Sequence, residues 1–247
     1  MDKKYTVVDL FCGAGGLSEG FLEAGYDVKL GIDWDDAALK TFENNHGSAE
    51  AMKLDLFNLD NVKSIDNKLK EKNVNKIDVL IGGPPCQGFS LAGSRVESDE
   101  RNTLYTAMVK TAELLRPRVV LLENVPGMLT LYGGKVKEKI FQDFEELGYT
   151  MNVKVLFAPE YGIPQIRKRA FFVGLLDSDV AFEYPEAILN EDNFITCEQA
   201  IGDLPSLEGD VDYNLNTVRE YSGQPATEYQ KKMRKDCDKV YNHTPTK

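Results

Sequence analysis

One cysteine, Cys86, stands in the run Gly82-Gly83-Pro84-Pro85-Cys86-Gln87-Gly88-Phe89-Ser90. The two preceding prolines restrict the backbone, so the run presents a single thiol from a fixed loop. It follows the apolar stretch Ile77 to Ile81. That puts the thiol at the carboxyl end of a strand, where open α/β sheets bind their ligands. A free thiol titrates near about 8.5 and attacks only as the thiolate, which nearby cations favour. Arg167 and Arg169, in Gly162-Ile163-Pro164-Gln165-Ile166-Arg167-Lys168-Arg169, are the candidate cations. Two residues apart, they share a face if the segment is extended. Glu123, at the end of another apolar run and followed by Asn124-Val125-Pro126-Gly127, offers a carboxyl that either caps a turn or donates a proton to a ring nitrogen. The ordinary fate of a free cysteine is inert burial, and that of three adjacent basic residues is a solvated surface. The double-proline loop weighs against inertness for Cys86, whereas Cys12, Cys197 and Cys237 keep that reading.

A second constellation opens the chain. Asp9-Leu10-Phe11-Cys12-Gly13-Ala14-Gly15-Gly16 joins a strand to an amphipathic helix. Glycines at such a junction let backbone approach a ligand closely, and the free amides of the helix favour an anionic group. Asp33 closes the next strand, where a carboxylate can accept from ribose hydroxyls. Trp34, the only tryptophan, can lie against an adenine, and Asp55 after the third strand can accept from an exocyclic amine. Each has a plainer reading: a tight turn for the glycines, a core or surface place for Trp34, a helix cap for Asp55. Serial acids at successive strand ends favour nucleoside binding. A dinucleotide site is disfavoured because Ser18 stands where its fingerprint needs glycine or alanine.

Both constellations require strands that end together. Short β-branched runs alternate with amphipathic stretches, the pattern of βαβ units around a mainly parallel sheet. Strands are expected near Tyr5–Phe11, Val28–Ile32, Ala51–Leu54, Ile77–Ile81 and Val119–Glu123, with helices between them. Leu17, Phe21 and Leu22 form one apolar helical face, Ala38, Leu39 and Phe42 a second, and Leu104, Met108, Ala112 and Leu115 a third. Met151–Ala158 and Ala170–Leu176 follow one another without a clear helix and suit an antiparallel hairpin at the sheet's edge. After Leu176 the sequence turns acidic and Asn-rich. The expected division is therefore 1–176 as a catalytic domain and 177–247 as an acidic connecting region.

The net charge of −11 argues against a uniformly basic nucleic-acid surface. From Leu175 onward there are 15 acidic and 7 basic residues, so most of the excess lies there and the first part is nearly balanced. A locally basic cleft remains compatible with the total. With no CxxC pair and only His46 and His243, no metal site is expected. The longest apolar runs fall far short of the roughly 20 residues that cross a bilayer. The opening residues leave no room for a signal peptide, so the expected location is cytoplasmic.

Together these segments resemble the DNA cytosine-5 methyltransferases: DLFCGAGG, IDW at Asp33, GGPPCQGFS at Cys86, ENVPG at Glu123 and QIRKR at Arg167, in family order, with AIGDLP ending at Pro205. The resemblance implies a Rossmann-like, S-adenosyl-L-methionine-dependent methyltransferase fold and methylation of cytosine carbon 5 in double-stranded DNA. It implies Cys86 as nucleophile, Glu123 at the base edge, and Arg167 and Arg169 holding the base and the catalytic loop. Cofactor contacts carried over are Phe11, Gly13, Gly15, Asp33, Trp34, Asp55, Pro84 and Leu104. Asp33 replaces a more usual glutamate. The target base must leave its stack, and Leu91 to Asn102 suits a lid. The family's target-recognition domain and late motifs are not visible, so a truncated chain or a second polypeptide carrying them is expected, and little activity without them. The alternatives are a relative acting on transfer RNA, which Gly88-Phe89-Ser90 disfavours, and a non-catalytic subunit, which the intact Cys86 and Glu123 disfavour.

Overall fold

The computed structural model describes residues 4–85, 104–204, 218–221, 223–235 and 237–241. Cys86 and the expected lid at 91–102 lie outside the described residues. The chain forms two compact units, Met1–Leu156 with Lys168–Pro185, and Phe157–Arg167 with Glu186–Lys247.

The first unit is built on a seven-stranded sheet. Along the chain run β1 (Thr6–Leu10), α1 (Gly16–Glu23), β2 (Asp27–Asp33), α2 (Asp36–Asn45), β3 (Glu50–Lys53), α3 (Val62–Glu71), β4 (Val79–Gly82), α4 (Tyr105–Leu115), β5 (Val119–Asn124), α5 (Lys135–Glu145), β6 (Tyr149–Phe157) and β7 (Lys168–Leu176). The spatial order is β3-β2-β1-β4-β5-β7-β6. β1 pairs in parallel with both β2 and β4, as do β2 with β3 and β4 with β5, whereas β7 runs antiparallel to β5. This is the expected Rossmann-like sheet. The two late runs do close one edge, with the second seated inside the first.

Alternation along the strands splits the core into two layers. Val7, Val28, Val79 and Ile81 face α1 and α2, packing with Leu39 and Phe42. Val8, Leu10, Leu30, Leu80, Val120 and Leu122 face the other way, onto Ile65 and Leu69 of α3, Met108 of α4 and Ile140 and Phe144 of α5. The chain leaves β1 toward β2 on one side and returns to β4 on the other. The β1–β4 boundary is therefore the topological switch point, and a crevice opens beyond the carboxyl ends of those strands. Leu10 and Gly82 are partners at that boundary. The glycine turn after β1 and the Gly82-Gly83-Pro84-Pro85 run after β4 thus leave the sheet side by side.

The second unit holds elements that weak periodicity did not reveal: α6 (Cys197–Ile201), β8 (Val218–Glu220), α7 (Glu228–Met233) and β9 (Lys239–Tyr241), with β8 antiparallel to β9. Both short helices begin with a capping box, Thr196 with Gln199 and Thr227 with Gln230. In each, the threonine hydroxyl accepts an amide of the first turn while the glutamine reaches back. Among the described residues no helix is long and apolar enough to cross a membrane.

Candidate active site

The glycine turn depends on left-handed backbone and is held by its neighbours. Phe11, Gly13 and Gly15 all have positive φ, at 59°, 54° and 94°. For Phe11 such a conformation costs about 1–3 kcal/mol, sustained only by its surroundings. Cys12 N–H donates to Ile32 O (3.0 Å) and Gly15 N–H to Cys12 O (2.9 Å). Gly13 N–H donates to Asp33 Oδ2 at 2.9 Å. Asp33 Oδ1 accepts from the amides of Trp34 (2.7 Å) and Asp35 (3.1 Å). Asp33, read from sequence as a ribose acceptor, is thus also the clasp that shapes the turn. Its oxygens retain lone pairs for a hydroxyl.

Beside this clasp lies a pocket lined by Phe11, Leu54, Leu56, Phe57 and Leu104 on its apolar walls, with Asp33, Trp34, Asp55 and Pro85 completing it. Trp34 is 74% exposed, so the face of its indole is open to a ligand. Asp55 Oδ1 caps the amide of Phe57 at 2.9 Å, so the plainer cap reading and the pocket position hold together. Leu104 is buried at the start of α4.

Asp9 has no role in the sequence reading. It is 1% exposed at the end of β1, and its Oδ2 accepts from the hydroxyl of the equally buried Ser18 at 2.6 Å. Among the described residues its Oδ1 has no hydrogen-bond partner. Burial pushes this carboxyl up to about 7, against the opposing pull of Ser18. Ser18, which distinguishes the turn from a dinucleotide fingerprint, therefore has a positive role: it ties α1 to β1. Cys12 is buried next to Asp9 and Asp33, and burial with those two carboxylates pushes its thiol far up. Both effects disfavour the thiolate that a nucleophile needs.

On the β4–β5 side, Asn124 is 4% exposed and donates from Nδ2 to Pro84 O at 2.9 Å, fastening the end of β5 to the proline run. Its Oδ1 accepts from Val125 N–H. Sequence reasoning missed this clasp as well; only its adjacency to Glu123 hints at it. Glu123 Oε1 is 2.9 Å from Arg169 Nε, with both side chains mostly shielded. A Cβ added to Gly83 would lie 3.5 Å from Glu123 Oε2. The register explains the pairing. Glu123 sits opposite Phe171, and Arg169, two residues earlier on β7, faces the same side of the sheet. Arg167 precedes β7 and falls in the second unit, its carbonyl accepting from Ala158 N–H at 2.9 Å.

The described residues therefore bring together a pocket with apolar walls and two carboxylates, a carboxyl paired with an arginine, and a fastened proline run that leads in sequence to Cys86. Comparison with known proteins identifies the family. The family described as C-5 cytosine-specific DNA methylase is matched over residues 5–246. The chain is 37% identical over 244 residues to the type II methyltransferase M.DdeI of Desulfomicrobium norvegicum, covering 96% of this chain and 57% of that protein. It is 36% identical to the type II methyltransferase M.AgeI of Thalassovita gelatinovora, over 96% of this chain and 59% of that one. Among solved structures, a DNA modification methyltransferase encoded within a prophage of E. coli superposes with a TM-score of 0.75 at 30% identity, covering 93% of this chain and 64% of that chain.

Proposed function

The chain belongs to the C-5 cytosine-specific DNA methylase family, and on that premise we propose that it methylates carbon 5 of cytosine in double-stranded DNA with Cys86 as the nucleophile. The relatives' designation as type II methyltransferases supports a place in restriction-modification. The donor of this family is S-adenosyl-L-methionine, which when bound supplies an electrophilic methyl group. The pocket's chemistry fits it. Apolar walls at Phe11 and Leu104 and the face of Trp34 suit an adenine, and Asp33 and Asp55 suit ribose hydroxyls and an exocyclic amine. Gly13 keeps the turn free of a side chain on its open side and Gly15 lets the backbone pack closely beneath it, with Pro84 beside the methyl group.

In this reading the Cys86 thiolate adds to carbon 6 of a cytosine rotated out of its helix, at a cost of roughly a few kcal/mol. Glu123 bonds the base edge and favours protonation at ring nitrogen 3, so the ring's electrons make carbon 5 nucleophilic. After carbon 5 is alkylated, a base or water removes its proton and the thiolate leaves. Arg169 holds Glu123, and Arg167 contributes to holding the base and loop. The observation that carries the reading is the Arg169–Glu123 pair at 2.9 Å, placed against Gly83 of the run that leads to Cys86.

The chain spans 57% and 59% of the two relatives' lengths. We assign the choice of target sequence to the portion of those proteins outside the matched span, on the same chain or a second polypeptide, with residues 177–247 as the connection toward it. The test is transfer of labelled methyl from S-adenosylmethionine to duplex DNA and to transfer RNA in parallel. Label on carbon 5 of DNA cytosines is expected. Label confined to transfer RNA would favour the RNA-modifying relative.

A further inference from the structure

His46 is 3% exposed, yet it has no part in the chemistry above. It ends α2, where its backbone N–H donates to Phe42 O at 2.8 Å. Its ring stacks on Phe42, with centroids 4.5 Å apart and planes 17° from parallel. The stack lies against two glycines. A Cβ added to Gly31 of β2 would come within 2.3 Å of the Phe42 ring, and one added to Gly15 within 2.3 Å of His46 Cε1. The left-handed Gly15, at the N-cap of α1, therefore rests its backbone directly on the imidazole.

The ring is held by a hydrogen bond at one nitrogen and lies beside a carboxylate at the other. Nδ1 lies 3.0 Å from Phe42 O. Nε2 lies 3.3 Å from Oε2 of Glu19, an ion-pair distance without hydrogen-bond alignment, and Glu19 belongs to the first turn of the helix that Gly15 caps. The ring thus bridges the end of α2, through Phe42, to the start of α1, through Glu19. Asp33 clasps the turn at Gly13, and His46 supports it at Gly15.

We propose that His46 is a positioning residue for cofactor binding, acting through Gly15 and Glu19 to hold the glycine turn in its ligand-receiving shape. The proposal rests on the assignment of that turn to S-adenosylmethionine. Removing the ring leaves a void beneath Gly15, in a turn whose Phe11 already holds a left-handed backbone, so the turn samples other shapes and binding becomes weaker.

The test is titration of S-adenosylhomocysteine followed by the fluorescence of Trp34, which lines the same pocket, with thermal unfolding of each unliganded variant run alongside. His46→Ala is expected to raise the dissociation constant about tenfold, roughly 1.4 kcal/mol. It is expected to raise KM for S-adenosylmethionine while leaving kcat at saturation within about twofold. Glu19→Gln, at a largely exposed position where folding is not at risk, should weaken binding by about two- to fivefold with an unchanged melting temperature. Asp33→Ala serves as the control for the underlying reading. If Asp33→Ala abolishes binding while His46→Ala and Glu19→Gln leave it at the wild-type value, the proposal is overturned and the cofactor reading stands. A fall in kcat at constant KM, the mark of a smaller folded fraction, also overturns it. Failure of wild-type protein to bind S-adenosylhomocysteine removes both.

Discussion

Replacing Asp9 by asparagine tests the buried end of β1 most sharply. The carboxyl is 1% exposed, and among the described residues its Oδ1 has no hydrogen-bond partner. Burial raises it from 3.8 to about 7. A carboxyl whose folded value lies above its unfolded one is favoured as the neutral acid in the native state. Below about pH 4 both states are protonated and it has no effect on stability. As pH rises from about 4 to about 7 the unfolded chain releases its proton while the folded one retains it, so stability falls through that window and is level beyond it. At about 1.4 kcal/mol per unit, the shift sets a ceiling of about 4 kcal/mol. An asparagine side chain resembles the neutral acid and can still accept from Ser18. Asp9→Asn should therefore gain stability over wild type as pH rises. Between about pH 5.5 and pH 8 the window covers about 1.5 units, which gives about 2 kcal/mol. Urea unfolding followed by far-ultraviolet circular dichroism at both pH values measures it. An advantage that does not grow with pH, or a variant less stable than wild type at pH 8, refutes the reasoning.

Further outcomes follow from other interactions. Arg169→Ala removes the group that steers Glu123 and should lower kcat for DNA methylation about 10²-fold with little change in cofactor affinity, read by steady-state kinetics. Cys12→Ala should leave methyl transfer within about twofold, because that thiol is buried and its thiolate disfavoured; its cost is about 1 kcal/mol of stability by urea titration. Thr227→Ala breaks the capping box of α7 and should destabilise the second unit by about 1 kcal/mol, seen as faster amide exchange in residues 228–233.

The sheet was legible because each strand announces itself twice, as a β-branched run and as a run ending in turn-formers. Boundaries moved by a residue or two, since ladder partners decide where a strand stops: β4 begins at Val79, opposite Val7 and Val119, and not at Ile77. Of the proposed site, Asp33, Trp34 and Asp55 were found from their places after strands and Leu104 from the family resemblance, and they meet in one pocket. The supporting residues were not legible. Asp9 with Ser18, Asn124 with Pro84, and His46 beneath Gly15 are pairs made by packing, and nothing in one chain's spacing marks them. Ser18 read only as a departure from a fingerprint, and His46 only as a histidine without a metal partner. In the acidic tail the Thr-x-x-Gln signals of α6 and α7 were present in the text, but helices of five and six residues leave too few turns for an apolar stripe to show.

Catalysis in this reading turns on a transient bond between the sulfur of Cys86 and carbon 6 of cytosine. It is tested with a preparation that methylates duplex DNA, offered S-adenosylmethionine and a duplex carrying 5-fluorocytosine at the target. Fluorine cannot leave as a proton does, so the adduct should persist and run as a protein–DNA band on a denaturing gel, absent in Cys86→Ser. A band of equal strength in Cys86→Ser, or none from the active wild-type protein, contradicts the mechanism.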